Sequence, residues 1–147
     1  LRAQQTAAPI AQAFGLEVHT DDRLIEADNV YAGGPLPTPI DFINPKHWWN
    51  LRNPWLPSWG EPYVDQARRM GGAIAAAARD NPDGTSVLVS HQLPIWVVRC
   101  AAQGRSFLHD PRRRECALAS LTTFDVLDGR IAYVGYSTPA AHVEVPR

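Results

Sequence analysis

The sequence predicts an α/β fold built on a layered, mostly parallel sheet. Helix-like and strand-like patterns alternate along most of the chain, which is the signature of layered α/β architecture. Ser86 to Ser90 is a short, β-branched apolar run, the pattern of a parallel strand covered on both faces. Asp128-Gly129 sits between the last two strand-like runs and marks a hairpin. A chain of 147 residues is read as one domain, long enough for a single hydrophobic core.

Ala3, Ala7, Ile10 and Phe14 recur at helical spacing, and Gly15 follows as the stop. Pro9 lacks a backbone donor, so this helix is expected either to start near Thr6 or to bend there. Leu16-Glu17-Val18-His19 alternates and reads as a short strand. Periodicity is then lost from Asp21 to Gly60, and a run of that length is usually functional or locally helical. Residues 34–60, rich in Trp and Pro, are read as a lid or insertion.

Glu61 to Arg79 is the clearest helix, with Pro62 in its first turn and an apolar face of Val64, Ala67, Met70, Ile74 and Ala77. Asp65, Arg68, Arg69 and Arg79 fall elsewhere on its surface. Asn81-Pro82-Asp83-Gly84 supplies the turn before the Ser86 to Ser90 strand. Pro94 opens a further helix, Ile95 to Ala102, apolar nearly all round and therefore expected to be buried. Leu118 to Val126 and Arg130 to Tyr136 form the hairpin, and Thr138 to Arg147 reads as a loose tail. The pattern begins on a helix, and the sheet is small for its helices. An upstream strand–helix–strand unit of roughly 30 residues or more is expected to complete the layers.

A net charge of −1 supplies no basic field for nucleic acid or an anionic membrane, so neither is an expected partner. Apolar stretches such as Gly71 to Ala78 are far shorter than the roughly 20 residues of a membrane span. Cys100 and Cys116 stand at no metal-ligand or redox spacing. They read as two small buried hydrophobes in a reducing compartment, with a disulfide as the alternative. Cytoplasm is the default location.

His91 is the leading candidate for chemistry. It closes the expected parallel strand and directly precedes a helix N-terminus, the edge at which α/β sheets bind ligands and helix N–H groups favour phosphate. The bland alternative is a histidine that hydrogen-bonds a neighbouring turn. His19, His47, His109 and His142 are scattered, follow no metal-ligand spacing, and read as structural or exposed. Two readings of His47 to Trp59 stay open: Trp48, Trp49 and Arg52 shape a pocket for the substrate, or the tryptophans anchor a long loop. Asp110-Pro111-Arg112-Arg113-Arg114-Glu115 reads as a solvated loop, with a local positive field for a phosphorylated substrate as its alternative.

The opening run Leu1-Arg2-Ala3-Gln4-Gln5-Thr6-Ala7 resembles the middle of the arginine motif of the histidine phosphatase superfamily, the phosphoglycerate mutase-like enzymes. Val87-Leu88-Val89-Ser90-His91 is similar to that family's second, downstream signature. Trp48-Trp49-Asn50-Leu51-Arg52-Asn53-Pro54, Ser90-His91-Gln92-Leu93-Pro94 and Asp110-Pro111-Arg112-Arg113-Arg114 most resemble small actinobacterial-type members. The resemblance runs from the arginine motif to the final hairpin.

This resemblance implies a three-layer α/β/α sandwich that lacks here its N-terminal strand–helix–strand. An Arg-His-Gly motif in that unit supplies the histidine that becomes phosphorylated, so residues 1–147 alone are expected to form no phosphohistidine. Arg2 matches the arginine that grips the transferred group with its planar fork of donors. Glu26 falls where the family places its general acid, with Asp28 as the rival. A backbone N–H at Gln92 is placed to meet phosphate oxygens. The implied substrate is a small phosphorylated molecule, and the reaction needs neither metal nor organic cofactor. A phosphatase is favoured over a mutase. The alternative is a non-catalytic anion-binding or regulatory relative on the same fold. Oligomeric state is not legible.

Overall fold

A computed structural model describes residues 1–26, 61–109 and 113–143. Helix α1 spans Arg2–Phe14, a 3-10 turn spans Asp22–Leu24, and helix α2 spans Tyr63–Asp80. Helix α3 (Gln92–Ala102) and an antiparallel hairpin of β1 (Leu121–Leu127) and β2 (Arg130–Ser137) complete the described elements. The chain is thus a mixture of helix and strand, and its described sheet is two-stranded and antiparallel.

Helix α1 ends as its sequence dictates. Gly15 takes a left-handed φ of 64°, its N–H reaching the Gln12 carbonyl while the Leu16 N–H reaches that of Ala11. The helix starts at Arg2 rather than near Thr6 and carries Pro9 inside it. Ala3, Ala7, Ile10 and Ala11 are half-buried, but Phe14 is 74 % exposed. No residue of α1 is buried, so the packing of the domain lies elsewhere.

That core forms where α2 meets α3 and the hairpin. Met70, Ile74 and Val98 are buried, with Leu24, Leu88, Ile95, Phe124, Val126 and Ile131 against them. The buried stripe of α2 is Gln66, Met70, Ala73 and Ile74. Val64, assigned to the apolar face from sequence, is 55 % exposed, while Ala67 and Ala77 are half-buried. Helix α3 buries Trp96, Val97, Val98, Arg99 and Cys100 in succession, as its all-round apolar pattern predicts. No helix among the described residues is long and apolar enough to cross a membrane.

Two expected strands have no pairing partner among the described residues. Residues 16–19 and 86–90 join no ladder, and Val87 is 60 % exposed. A strand exists only through its hydrogen-bonded neighbour, and none lies beside these segments among the described residues. The hairpin also starts three residues late. Ala119 has φ 53° in a turn closed by the Ser120 N–H on the Ala117 carbonyl, so the ladder begins at Leu121. Leu127 pairs with Arg130 across Asp128 and Gly129, both at positive φ, as a tight primed turn requires. A bulge between Thr123 and Phe124 shifts the register. Residues 138–143 form a pair of turns in place of a loose tail. The lid assigned to residues 34–60 lies outside the described residues.

Candidate active site

The site begins at the 3-10 turn. Asp21 caps it by accepting the Arg23 N–H at 2.8 Å, and the same carboxylate takes the Arg23 guanidinium at 2.6 Å. The hydrogen bonds from that side chain hold the Asp21 carboxyl below its usual range, against the smaller opposing effect of burial. Arg23 also donates to the Gly72 carbonyl on α2 at 3.0 Å, tying the turn to the helix.

Arg69 on α2 then fastens the chain that follows. Its guanidinium grips Glu61 at 2.8 and 3.0 Å through Nε and at 2.8 Å through Nη2. Nη1 donates to the carbonyls of Arg23 at 2.7 Å and Ile25 at 2.9 Å. The carbonyl between them, that of Leu24, accepts the Ser90 hydroxyl at 2.8 Å. Three successive carbonyls are thereby fixed immediately before Glu26.

Directly after these anchors, Glu26 meets His91. Nδ1 of His91 lies 3.5 Å from Oε2 of Glu26, with the imidazole 30 % and the carboxylate 50 % exposed. His91 is also the residue that opens α3: it is extended at φ −111° and its carbonyl accepts the Ile95 N–H at 3.2 Å. No side chain caps this helix end. Pro94 has no N–H, so the first-turn donors beside His91 are those of Gln92 and Leu93, which have no intrahelical acceptor. An imidazole, a carboxyl group and two amide donors thus share one half-open end of a helix, where the dipole favours an anion.

The remaining candidates are placed as follows. Arg2 is exposed at the start of α1, and no hydrogen bond or ion pair joins its guanidinium to His91 or Glu26. His91 nevertheless borders an open cavity of about 830 Å³ that α1 also lines, through Ala3, Ala7 and Ile10. The Gln92 side chain turns away and donates to the Cys116 carbonyl at 3.0 Å, leaving its backbone N–H for the helix end. Asp28, His47, Trp48, Trp49, Arg52, Trp55 and Trp59 lie outside the described residues, as do Asp110, Pro111 and Arg112.

His109 stands apart from His91 and Glu26, among aromatic rings. It packs against Tyr63 and Trp96, and its Nε2 receives Arg114 at 2.6 Å. His19 and His142 are exposed. Cys100 and Cys116 are free, buried thiols, and burial pushes both above the usual thiol range. Among the described residues no group of three or more His, Cys, Asp or Glu is placed to hold a metal ion.

Sequence reading missed Arg69, which it left on the surface. Its side chain is only 17 % exposed. The legible signal was its place beside Met70 at the border of the apolar stripe, with Glu61 just ahead of the helix to pair with it.

Comparison with known proteins identifies the family. The chain is 50 % identical over 142 residues to "Uncharacterized protein Rv0525" of Mycobacterium tuberculosis strain H37Rv, a match that covers 95 % of this chain and 70 % of the relative. "Uncharacterized protein MT0547" of strain CDC 1551 matches at the same identity and coverage. No solved structure matches. The family model described as histidine phosphatase superfamily (branch 1) matches residues 1–138. With His91 and Glu26 side by side at the N-terminus of α3, the chain belongs to the histidine phosphatase superfamily.

Proposed function

We propose that this protein is a phosphomonoesterase working through a phosphohistidine, its nucleophile lying outside residues 1–147 in an Arg-His-Gly context. The observation that carries the reading is the 3.5 Å approach of His91 to Glu26 at an uncapped helix N-terminus. The matched relatives are longer than the aligned region, which leaves room for that nucleophile.

In the first step a nucleophilic imidazole nitrogen attacks phosphorus in line. The N–P bond forms as the ester P–O bond breaks, and Glu26 gives its proton to the departing oxygen. His91 and the Gln92 and Leu93 amides face the equatorial oxygens, and Arg2 supplies a bidentate clamp. In the second step Glu26 takes a proton from water, the water oxygen attacks phosphorus, and inorganic phosphate leaves as the N–P bond breaks. Both steps run on these side chains.

The same reading makes the fold a three-layer sandwich in which residues 16–19 and 86–90 gain strand partners. It also takes a small phosphorylated molecule as the substrate and the cytoplasm as the place of action.

The test is to incubate the full-length gene product with a panel of phosphomonoesters and trap the enzyme in alkali. Acid-labile, alkali-stable phosphate on histidine with release of inorganic phosphate is the expected result. Transfer to a second substrate hydroxyl identifies a mutase instead. Phosphate binding with no labelled histidine on any substrate sinks the catalytic reading and leaves an anion-binding relative. Residues 1–147 alone are expected to give no labelled histidine.

A further inference from the structure

We propose that Arg69 is a positioning residue for Glu26, fixing its carboxylate against His91 through the backbone that precedes it. The inference rests on the phosphoryl-transfer reading for what Glu26 does, but not for where Glu26 is held. Two of the three carbonyls before Glu26, those of Arg23 and Ile25, end on one Arg69 nitrogen, and the third ends on Ser90, the neighbour of His91.

Apolar packing does not do this work at the critical point. Leu24 packs on the core, but Ile25 is 54 % exposed, so the chain between Leu24 and Glu26 is held by polar contacts. Arg69 is in turn immobilised. Its fork closes on Glu61, and the carbonyl of Glu61 accepts the amide of Gln66, which is fully buried, at 3.0 Å. A rigid planar fork spans a carboxylate and two carbonyls at once; a lysine ammonium is a point donor and does not. Ser90 closes the same frame from the other side, so the carboxylate and the imidazole are set against one common scaffold.

The experiment is nitrogen-15 NMR of the histidine rings in the full-length protein, with the His91 signals assigned by His91→Gln. Glu26→Gln is expected to displace the His91 ring signals. Arg69→Gln and Arg69→Lys are expected to displace them in the same direction, and Glu26→Gln/Arg69→Gln to move them no further than Glu26→Gln alone. Arg69→Lys keeps the charge, so it separates lost geometry from lost charge and also serves if Arg69→Gln fails to fold. His91 signals unmoved in Arg69→Lys, or unmoved in Glu26→Gln, overturn the proposal. The kinetic arm compares an alkyl phosphate with an aryl phosphate. Arg69→Lys is expected to lower kcat by about 10²-fold on the alkyl ester and far less on the aryl ester. Equal losses on both mark Arg69 as merely structural. A wild-type protein without turnover defeats the phosphoryl-transfer reading alone, because the NMR result still decides the positioning role.

Discussion

Nδ1 of His91 lies 3.5 Å from Oε2 of Glu26, joining the residue that opens α3 to the residue that follows the 3-10 turn. The three carbonyls that precede Glu26 are bonded by Arg69 and by Ser90, the neighbour of His91, which is the frame proposed above to hold the pair. Both groups remain partly open to solvent, which the roles proposed for them in proton transfer and phosphate binding require.

Glu26→Gln in the full-length protein is expected to lower kcat by about 10²- to 10⁴-fold on an alkyl phosphate. The loss is expected to shrink on an aryl phosphate, whose leaving oxygen departs without a proton. Steady-state rates on the two esters check this. Equal loss on both removes Glu26 from proton transfer and returns Asp28 to consideration.

Arg99 gives a prediction about stability. Its side chain is 6 % exposed, paired with Glu115 and set over the rings of Tyr133, Tyr136 and Trp96 at 4.6, 5.3 and 5.4 Å. Glu115 is itself 58 % exposed. The asymmetry decides the outcome: removing the carboxylate strands a buried cation, whereas removing the cation leaves a carboxylate that water can solvate. Glu115→Gln is therefore expected to cost about 1–3 kcal/mol, above the 0–1 kcal/mol or so of a surface pair. Urea midpoints at neutral pH measure it, and a cost near zero shows that the Glu115 carbonyl and the aromatic rings suffice for the guanidinium.

The helices were legible because each carries its own hydrogen bonds and one periodic stripe. Gly15 and the Asn81 to Gly84 turn mark helix ends, and Asp128-Gly129 the hairpin turn, through local backbone chemistry that sequence reports directly. Residues 16–19 and 86–90 were not legible in the same way. Their apolar alternation states a capacity to pair, and pairing depends on a neighbour that a local pattern does not contain. At the site, His91 was singled out by its place at a strand end before a helix and Glu26 by the family resemblance alone, and the structure sets the two side chains 3.5 Å apart. Arg69 was not: an arginine inside an amphipathic helix looks like solvated surface until the carbonyls it meets are brought in from a distant turn.

Asp21 makes the turn before Glu26 sensitive to acid. Its folded carboxyl sits below the ordinary aspartate range, chiefly through the hydrogen bonds from the Arg23 side chain. A carboxyl group depressed on folding stabilises the native state above its unfolded pKa, and that contribution is lost as pH falls through the folded value. Wild type is thus expected to lose its advantage over Asp21→Asn as pH drops below about 4. At neutral pH Asp21→Ala is expected to cost about 0.5–1 kcal/mol, mostly the lost cap, since the ion pair with Arg23 is largely exposed. Tm measured against pH for the three proteins checks the sign; a difference that grows toward low pH contradicts it.

Gly129 tests whether the hairpin turn is set by backbone conformation or by space. Its φ is 74°, and a Cβ added there meets nothing within 4 Å, so any penalty for Gly129→Ala comes from the left-handed backbone alone. That penalty is expected to be about 1–2 kcal/mol. Asp128 also stands at positive φ, 51°, where a glycine relieves strain but loosens the unfolded chain. Asp128→Gly is accordingly expected to be near neutral while Gly129→Ala destabilises. Because β1 and β2 bring Phe124, Val126 and Ile131 to the core formed by Met70, Ile74 and Val98, loss of the turn should lower the midpoint of the whole transition. A separate early transition, with the α2 and α3 helices melting later at the wild-type midpoint, marks the hairpin as an independent unit and contradicts that coupling.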